Sequence, residues 1–557
     1  MMLQNIFFTS FTKKQYFLIG FIFFLNLLQA FFTGLHGDEA YYWYYSQHLA
    51  FGYFDHPPMV ALLIFMGNLI SHSQLGVRLI MIIISTLTSM IIIHELGDKK
   101  EVWFSGLFIM SFPLFQTHIG GFMALPDVPL VFFTLLFFIF YRRFLKNPDT
   151  KTSILIGIVT AAMVYSKYHA FLIIGFTVLS NMKLLKNRKF YIAVIVFAIL
   201  MSPHILWQIN NGFPSVKYNL YSRIKPFGFK YVLHNIVSQL AVMGPFSFFF
   251  ILWALFKSKV NHSFFRKALI YNILGFYIFF FLFSFKNRIE AHWTVAIAPL
   301  IMIITYPEII GKTLIKKWFK VMATISFILI LFVRFSVAFD IVPVDLNINS
   351  LFYKKKATCN YMKKIANGLP VAFFNAFGKP SNYMFYEGDS CLCLAMPDYR
   401  YCEFDIIQQQ DGYNGDSLFA FMPPPFAEDS SHIVIFPDGK KLGTKIINNF
   451  QSLKNLNIYS ETLLNNDSLI RVSVKLENKS NGTILFEHPS NPLIAFMQNK
   501  EEIINFPLSD YTGRLEKGET FSFNVDLPDS IVNKDLPIVI YTRSVDGYRG
   551  EMKTVKY

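Results

Sequence analysis

Residues 127–143 read Asp127-Val128-Pro129-Leu130-Val131-Phe132-Phe133-Thr134-Leu135-Leu136-Phe137-Phe138-Ile139-Phe140-Tyr141-Arg142-Arg143. Between the carboxylate at one end and the two guanidinium groups at the other there is no charge and no apolar–polar alternation. A run of that kind is a helix in hydrocarbon, with the cations at its cytoplasmic end. Outward in both directions the pattern recurs. From Met1 to Phe339, runs of Phe, Ile and Leu alternate with short charged clusters, and after Asp340 the texture is that of a water-soluble protein. The 557-residue chain is 53% hydrophobic and 18% aromatic, with a mean hydropathy of +0.39. Few soluble proteins of this length are so apolar.

The spans are expected at roughly 16–32, 77–96, 102–121, 127–141, 152–166, 169–182, 189–207, 230–256, 267–285, 292–310 and 318–338, about eleven in all. Pro57–Ser71 is apolar but short of the ~20 residues needed to cross, and reads as a helix in the interface. With the N-terminus inside, the Lys/Arg clusters near 13, 99, 142, 183, 257 and 312 all fall on the cytoplasmic side. They hold 20 of the 29 cations in residues 1–339, a positive-inside pattern that puts the tail outside. That membrane is read as the bacterial cytoplasmic (inner) membrane. Residues 1–339 carry 29 Lys+Arg against 10 Asp+Glu, whereas the tail carries 22 against 26. The basic excess therefore belongs to membrane loops and anionic lipids, and nucleic acid is excluded as a partner.

In the tail, 340–440 mixes helical and strand patterns, with Pro370–Asn375 and His432–Phe436 as short buried strands of an α/β domain. From 455 to 557, alternating runs at Leu469–Leu476, Thr520–Val525 and Ile538–Tyr541, separated by turn residues, read as a β-sandwich. Cys359, Cys391, Cys393 and Cys402 all lie in the tail, and an outside location suits one or two disulfides whose pairing the sequence leaves open, with free thiols the alternative and a Zn site disfavoured by the spacing and by the lack of a His among them.

With that topology, the informative groups are the polar ones at the outer ends of spans. The first outer loop holds Asp38, Glu39, Asp55 and His56 among Tyr41, Tyr42, Trp43, Tyr53 and Phe54. A carboxylate against low-dielectric surroundings is suited to general-base work, while the plainer reading of Asp38 and Glu39 is a helix cap. Asp127 opens its span, where an N-cap is the plain alternative. Lys167 sits in a turn between two spans, where snorkelling is the alternative. Lys286, Arg288 and His292 lie in the loop 286–293. Arg and Lys pressed against outer helix ends suit a lipid phosphate, with Arg78 a further candidate.

It is on these residues that the chain resembles a family. Asp38-Glu39, Tyr53-Phe54-Asp55-His56-Pro57-Pro58, Leu125-Pro126-Asp127-Val128-Pro129, Ser166-Lys167-Tyr168, Trp207-Gln208-Ile209-Asn210-Asn211-Gly212-Phe213 and Glu290-Ala291-His292-Trp293 resemble bacterial glycosyltransferases of family 39. These are of the protein-mannosyltransferase type, in the C superfamily, and related to the aminoarabinose transferases of lipid A. The resemblance covers residues 30–310 and, more faintly, the α/β part of the tail; the terminal β-domain has no counterpart in it.

The resemblance implies a polytopic glycosyltransferase C fold and an inverting transfer from a polyprenyl-phosphate sugar to an envelope glycan, lipid A or protein acceptor. In it Asp38 is the catalytic base with Glu39 beside it, and Asp55, His56, Asp127 and His292 line the substrate cavity. Lys167 and Arg288 would stabilise the leaving phosphate. Some relatives bind a divalent cation, for which Glu39, Asp55 or His292 would be ligands. The readings from other classes are a flippase of lipid-linked sugars and a non-catalytic glycan-binding scaffold. A flippase would place ionisable groups at the bilayer midplane in repeated, broken helices. Here they cluster at outer ends, and no repeat is visible.

Overall fold

The computed structural model describes residues 11–219, 227–258, 263–339, 351–407, 410–427, 432–465, 469–487, 491–499, 501–533 and 536–554. The chain forms two compact units, Met1–Tyr353 and Lys354–Tyr557. The expected boundary at 339/340, and Lys259 of the basic cluster near 257, lie outside the described residues.

The first unit is helical. Among the described residues, seven helices are long and apolar enough to cross a bilayer: Lys13–Phe32, Gln74–Leu96, Asp127–Lys146, Arg188–Asn210, Phe264–Phe283, Ala291–Ile310 and Thr313–Phe339. Shorter apolar helices at Thr150–Ser166, Ala170–Ser180 and Phe248–Lys257 stand where other spans were expected. Two expected spans are interrupted. Residues 102–121 form the helix Val102–Met110 and then a wide turn at Phe115–Ile119, because Pro113 has no N–H to continue the ladder. Residues 230–256 split into Phe229–Val242 and Phe248–Lys257, with Gly244 at φ 122° followed by Pro245 at the break. Met59–Asn68 has ten residues, about 15 Å of helix and half a hydrocarbon core.

Local sequence sets the helix starts. Thr12 and Gln15 form a capping box, and Asp149 accepts the Thr152 N–H at 2.8 Å. The central helices, Asp127–Lys146 and Ala291–Ile310, bury most of their surface, whereas Arg188–Asn210 faces outward along most of its length. One polar knot crosses the core: Arg334 donates to Gln116 Oε1 at 2.7 Å, Asn26 Oδ1 at 3.0 Å and Gln29 Oε1 at 3.2 Å. It ties the first helix to the last, and these three side-chain partners are neutral amides that satisfy a cation in an apolar bundle.

The second unit carries a mixed five-stranded sheet of β1 (Val371–Phe374), β2 (Cys391–Leu394), β3 (Leu418–Met422), β4 (Ile433–Ile435) and β5 (Lys441–Ile447). Its order is β2-β1-β3-β5-β4, with β1 parallel to both neighbours and β5 antiparallel to β3 and β4. The strand near 432, expected to be buried, is half-exposed, as an edge strand can be. Beyond Ile447 come an antiparallel sheet of Glu501–Pro507, Leu493–Gln498, Val539–Arg543 and Arg549–Thr554, a sheet of Thr520–Pro528, Leu469–Asn478 and Leu456–Asn465, and a two-stranded ribbon. The α/β and β parts are not packed as separate bodies. Phe374, Leu394 and Met422 share one hydrophobic core with Ile458, Val472 and Phe496.

The four cysteines form no disulfide. The Cys393 thiol donates to the Ala376 carbonyl at 2.7 Å and Cys391 to the Pro380 carbonyl at 3.5 Å, so buried backbone acceptors engage them as thiols.

Candidate active site

The site begins at the helix Gly37–Ser46. His36 caps it: the Asp38 N–H donates to His36 Nδ1 at 3.2 Å, and the His36 N–H donates to Glu39 Oε2 at 3.0 Å. That box sends two adjacent carboxylates in opposite directions. Asp38 stays open, its side chain 43% exposed. Glu39 turns inward and is fully buried. Arg78 grips it with Nε at 2.7 Å and Nη2 at 2.6 Å, and the Ala124 N–H donates to it at 2.9 Å. Burial opposes the charge of Glu39, and the Arg78 guanidinium overcomes it, so the carboxyl is held below its ordinary range. Glu39, expected beside Asp38 as a catalytic group, ties the first loop to the helix Gln74–Leu96 through Arg78. Arg78, expected as a phosphate candidate, is fully buried and also donates to the carbonyls of Ala30, Thr33 and Gly34.

The loop 51–57 is held from both sides. The Tyr45 hydroxyl donates to Asp55 at 2.6 Å, and the Tyr45 ring stacks on Tyr53 at 4.2 Å between centroids. On the other side, His204 Nδ1 bonds the Phe51 carbonyl at 2.6 Å, and Ser215 donates to the Tyr53 carbonyl at 2.9 Å. Gln208 joins Ser215 at 2.8 Å and Tyr168 at 3.1 Å, and burial pushes the Tyr168 phenol up to about 12. Gly52 lies flat on Trp207, where any Cβ would collide with the indole. The Trp207–Phe213 motif thereby acts as a clamp on the loop that carries Asp55 and His56.

His56 is where the expected residues meet. Burial pushes its imidazole below the ordinary value; Asp55, Asp127 and Asp38 act against that, and Lys167 acts with it. Three carboxylates and an ammonium, drawn from residues 38 to 167, are therefore within electrostatic reach of one ring. Lys167 neither snorkels nor floats: its ammonium lies 2.7 Å from Asp127 Oδ1, and both side chains are buried. Asp127 makes this bond in place of an N-cap.

Behind that pair the rings of His118 and His292 stack, 5.0 Å between centroids. Ligand atoms of His118, Asp127 and His292 lie within 4.8 Å of one another, a donor set of metal-binding type. The Lys167 ammonium already rests on Asp127 Oδ1, so a positive charge for this carboxylate is supplied within the chain. Of the expected ligands, Glu39 is engaged by Arg78 and Asp55 by Tyr45; only His292 belongs to this set.

Arg288 is exposed and lies 3.4 Å from Glu290, and Lys286 is also exposed. His118 went unread in the sequence. Its signal was available, since it stands with Thr117 just before Gly120-Gly121 at the outer end of an expected span, like the other site residues.

Residues 55–207 match the dolichyl-phosphate-mannose-protein mannosyltransferase family, a stretch that includes Asp55, His56, Asp127 and Lys167. The lipid A galacturonosyltransferase RgtD of Rhizobium johnstonii is 23% identical over 247 residues, which are 42% of this chain and 51% of that protein. The chain thus spans about half the length of that curated relative. Two crystal structures of ArnT from Cupriavidus metallidurans share the fold. The apo form superposes with a TM-score of 0.52 at 11% identity, over 78% of this chain and 97% of that one. The form bound to undecaprenyl phosphate gives 0.51 at 13% identity, over 77% and 97%. This chain is a multi-pass membrane protein with the fold of ArnT, and residues 55–207, which carry Asp55, His56, Asp127 and Lys167, match the dolichyl-phosphate-mannose-protein mannosyltransferases.

Proposed function

We propose that the chain is an inverting glycosyltransferase that moves a sugar from a polyprenyl-phosphate donor to an acceptor hydroxyl or amine at the outer face of the cytoplasmic membrane. The observation that carries this reading is the convergence of Asp38, Asp55, Asp127 and Lys167 on His56. Asp38 is the base, because it is the open carboxylate of the set: 43% exposed, against 4% for Asp127. It takes the acceptor's proton as the acceptor oxygen or nitrogen attacks the anomeric carbon. The bond from that carbon to the phosphate oxygen breaks, and its electron pair leaves with the phosphate.

Lys167, fixed by Asp127, meets that growing charge with an ammonium already in place, and Arg288 approaches from the 286–293 loop. Asp55, fixed by Tyr45, and the neutral ring of His56 contact the sugar, with His292 beside them. The undecaprenyl phosphate of the similar ArnT structure supports the donor class. The lipid A target in the name of RgtD supports a lipid acceptor, alongside envelope glycan or protein.

The 20 cations assigned inside against the 9 left outside support an extracytoplasmic tail. Alkaline phosphatase joined after Tyr353 should be active; a stable but inactive fusion would put the site on the wrong side for this chemistry. The direct test incubates the purified protein with a polyprenyl-phosphate sugar and envelope acceptors and follows free polyprenyl phosphate. No release under any acceptor, from protein that binds the donor, would sink the proposal.

A further inference from the structure

The last residues of the helical unit return to the candidate site. Phe352, one residue before that unit ends at Tyr353, lays its half-buried ring against the imidazole of His36, 5.6 Å between centroids and tilted by 49°. His36 is thereby held from two sides. Its backbone is fixed from within, since its N–H donates to Glu39 Oε2 at 3.0 Å and Glu39 is gripped by Arg78. Its ring is covered from without by Phe352.

The setting of that ring matters because Nδ1 accepts the Asp38 N–H at 3.2 Å, which puts the ring proton on Nε2. A half-turn of the imidazole would bring Cδ2 to the place of Nδ1, and carbon cannot accept, so the cap would be lost. A neighbouring ring packed at contact distance opposes that half-turn. The cap in turn decides what Asp38 can do. An aspartate at a helix start ordinarily lends its carboxylate to the free N–H groups of the first turn. Here the imidazole serves in its stead, and the Asp38 carboxylate accepts no hydrogen bond among the described residues. Its Oδ2 lies 3.6 Å from His36 Nδ1, which is already an acceptor, so the two do not bond.

We infer that Phe352 and His36 are positioning residues for the Asp38 base. Phe352 holds the imidazole in the one setting that caps the helix Gly37–Ser46, and the cap leaves the carboxylate free to take the acceptor's proton. This rests on the role of Asp38 proposed above. Neither residue touches the reacting atoms; both act through the carboxylate they leave open.

The test uses the full chain in phosphatidylcholine nanodiscs. Amide hydrogen exchange over residues 37–46, read by mass spectrometry, should be about 3- to 10-fold faster in Phe352→Ala, as the loss of one aromatic contact predicts, with residues 74–96 unchanged. The kcat for release of polyprenyl phosphate should fall by a similar factor while the donor KM stays put, and Phe352→Tyr should keep both readouts near wild type. His36→Asn retains an acceptor at the cap but offers no ring. Adding Phe352→Ala to it should therefore change neither readout. Wild-type exchange in Phe352→Ala overturns the inference. So does faster exchange with full kcat, and so does a loss that persists undiminished in the His36→Asn background. A wild-type chain that releases no polyprenyl phosphate defeats the proposed reaction instead, and the exchange arm still decides whether Phe352 holds the cap.

Discussion

Arg78 and Glu39, 39 positions apart in sequence, meet fork to fork: Nε lies 2.7 Å from one carboxylate oxygen and Nη2 2.6 Å from the other, with both side chains fully buried. Glu39→Gln would strand the guanidinium in the core, at a cost of about 3–5 kcal/mol. Thermal unfolding in detergent should show that loss, and much of the protein should fail to insert. Because the folded carboxyl titrates below its ordinary value, the pair stabilises the fold above the usual carboxylate range. That stability is lost only as the pH falls through the lowered value.

Asp38→Asn, one residue away, should behave in the opposite manner. The side chain is open, and Asn keeps its size, so the melting temperature should stay put. Turnover should fall by roughly 10²-fold or more, since the acceptor's proton has nowhere to go. Wild-type turnover in correctly inserted Asp38→Asn would reduce the residue to part of a helix start.

Arg288 and Lys167 should separate by stability and join by kinetics. Arg288 is largely exposed, so Arg288→Ala should fold normally. It should lower kcat by about 10- to 100-fold, more than it raises the donor KM. Arg288→Lys should be partly active, keeping charge without the fork. Lys167→Ala leaves Asp127 buried and unpaired and should also unfold more easily; adding Asp127→Asn should restore the fold but not turnover. In a double-mutant cycle the two cations should be non-additive, as groups sharing one phosphate. Small, additive effects would mean that the phosphate is held elsewhere.

Chelation gives an independent check on the Asp127–Lys167 pair. With an ammonium 2.7 Å from its carboxylate, the His118–Asp127–His292 set has its cation already. EDTA should therefore leave turnover unchanged. Loss on EDTA and recovery with a divalent ion would show that Lys167 gives way to a metal.

The cysteines can be counted by mass. Burial pushes the Cys359 thiol up to about 12 and Cys391 far above its usual value, and Cys402, hydrogen-bonded to Cys393, is raised as well. Thiols so rarely ionised react slowly. Native protein should take up no iodoacetamide over minutes, and denatured, unreduced protein should take up four equivalents. Fewer than four would reveal a disulfide.

Much of the candidate site was legible because hydropathy suggests a topology, and that topology singles out polar groups at the expected outer ends of spans. Asp38, Asp55, His56, Asp127 and Lys167 were found in that way. The break at Gly244-Pro245 was also written in the chain, but an apolar run on each side masked it. What stayed hidden depends on long-range pairing. Nothing local to Glu39 announces Arg78, and nothing local to Asp127 announces Lys167, 40 residues on. Adjacent carboxylates look alike in sequence; the His36 cap turned one outward and the other in. The common core of the tail was hidden for a related reason, since alternation tells which face of a strand is buried but not against what.

That common core decides how the gene can be shortened. The Arg549 N–H reaches back to the Ala395 carbonyl at 2.8 Å, and the Tyr548 hydroxyl to the Gln451 carbonyl at 2.8 Å. The last strands therefore close a wall begun some 150 residues earlier. A nonsense codon near Phe450 would not release a trimmed but serviceable lobe. It would leave Phe374, Leu394 and Met422 facing water, a target for quality-control proteases even though every residue at the membrane site had been translated.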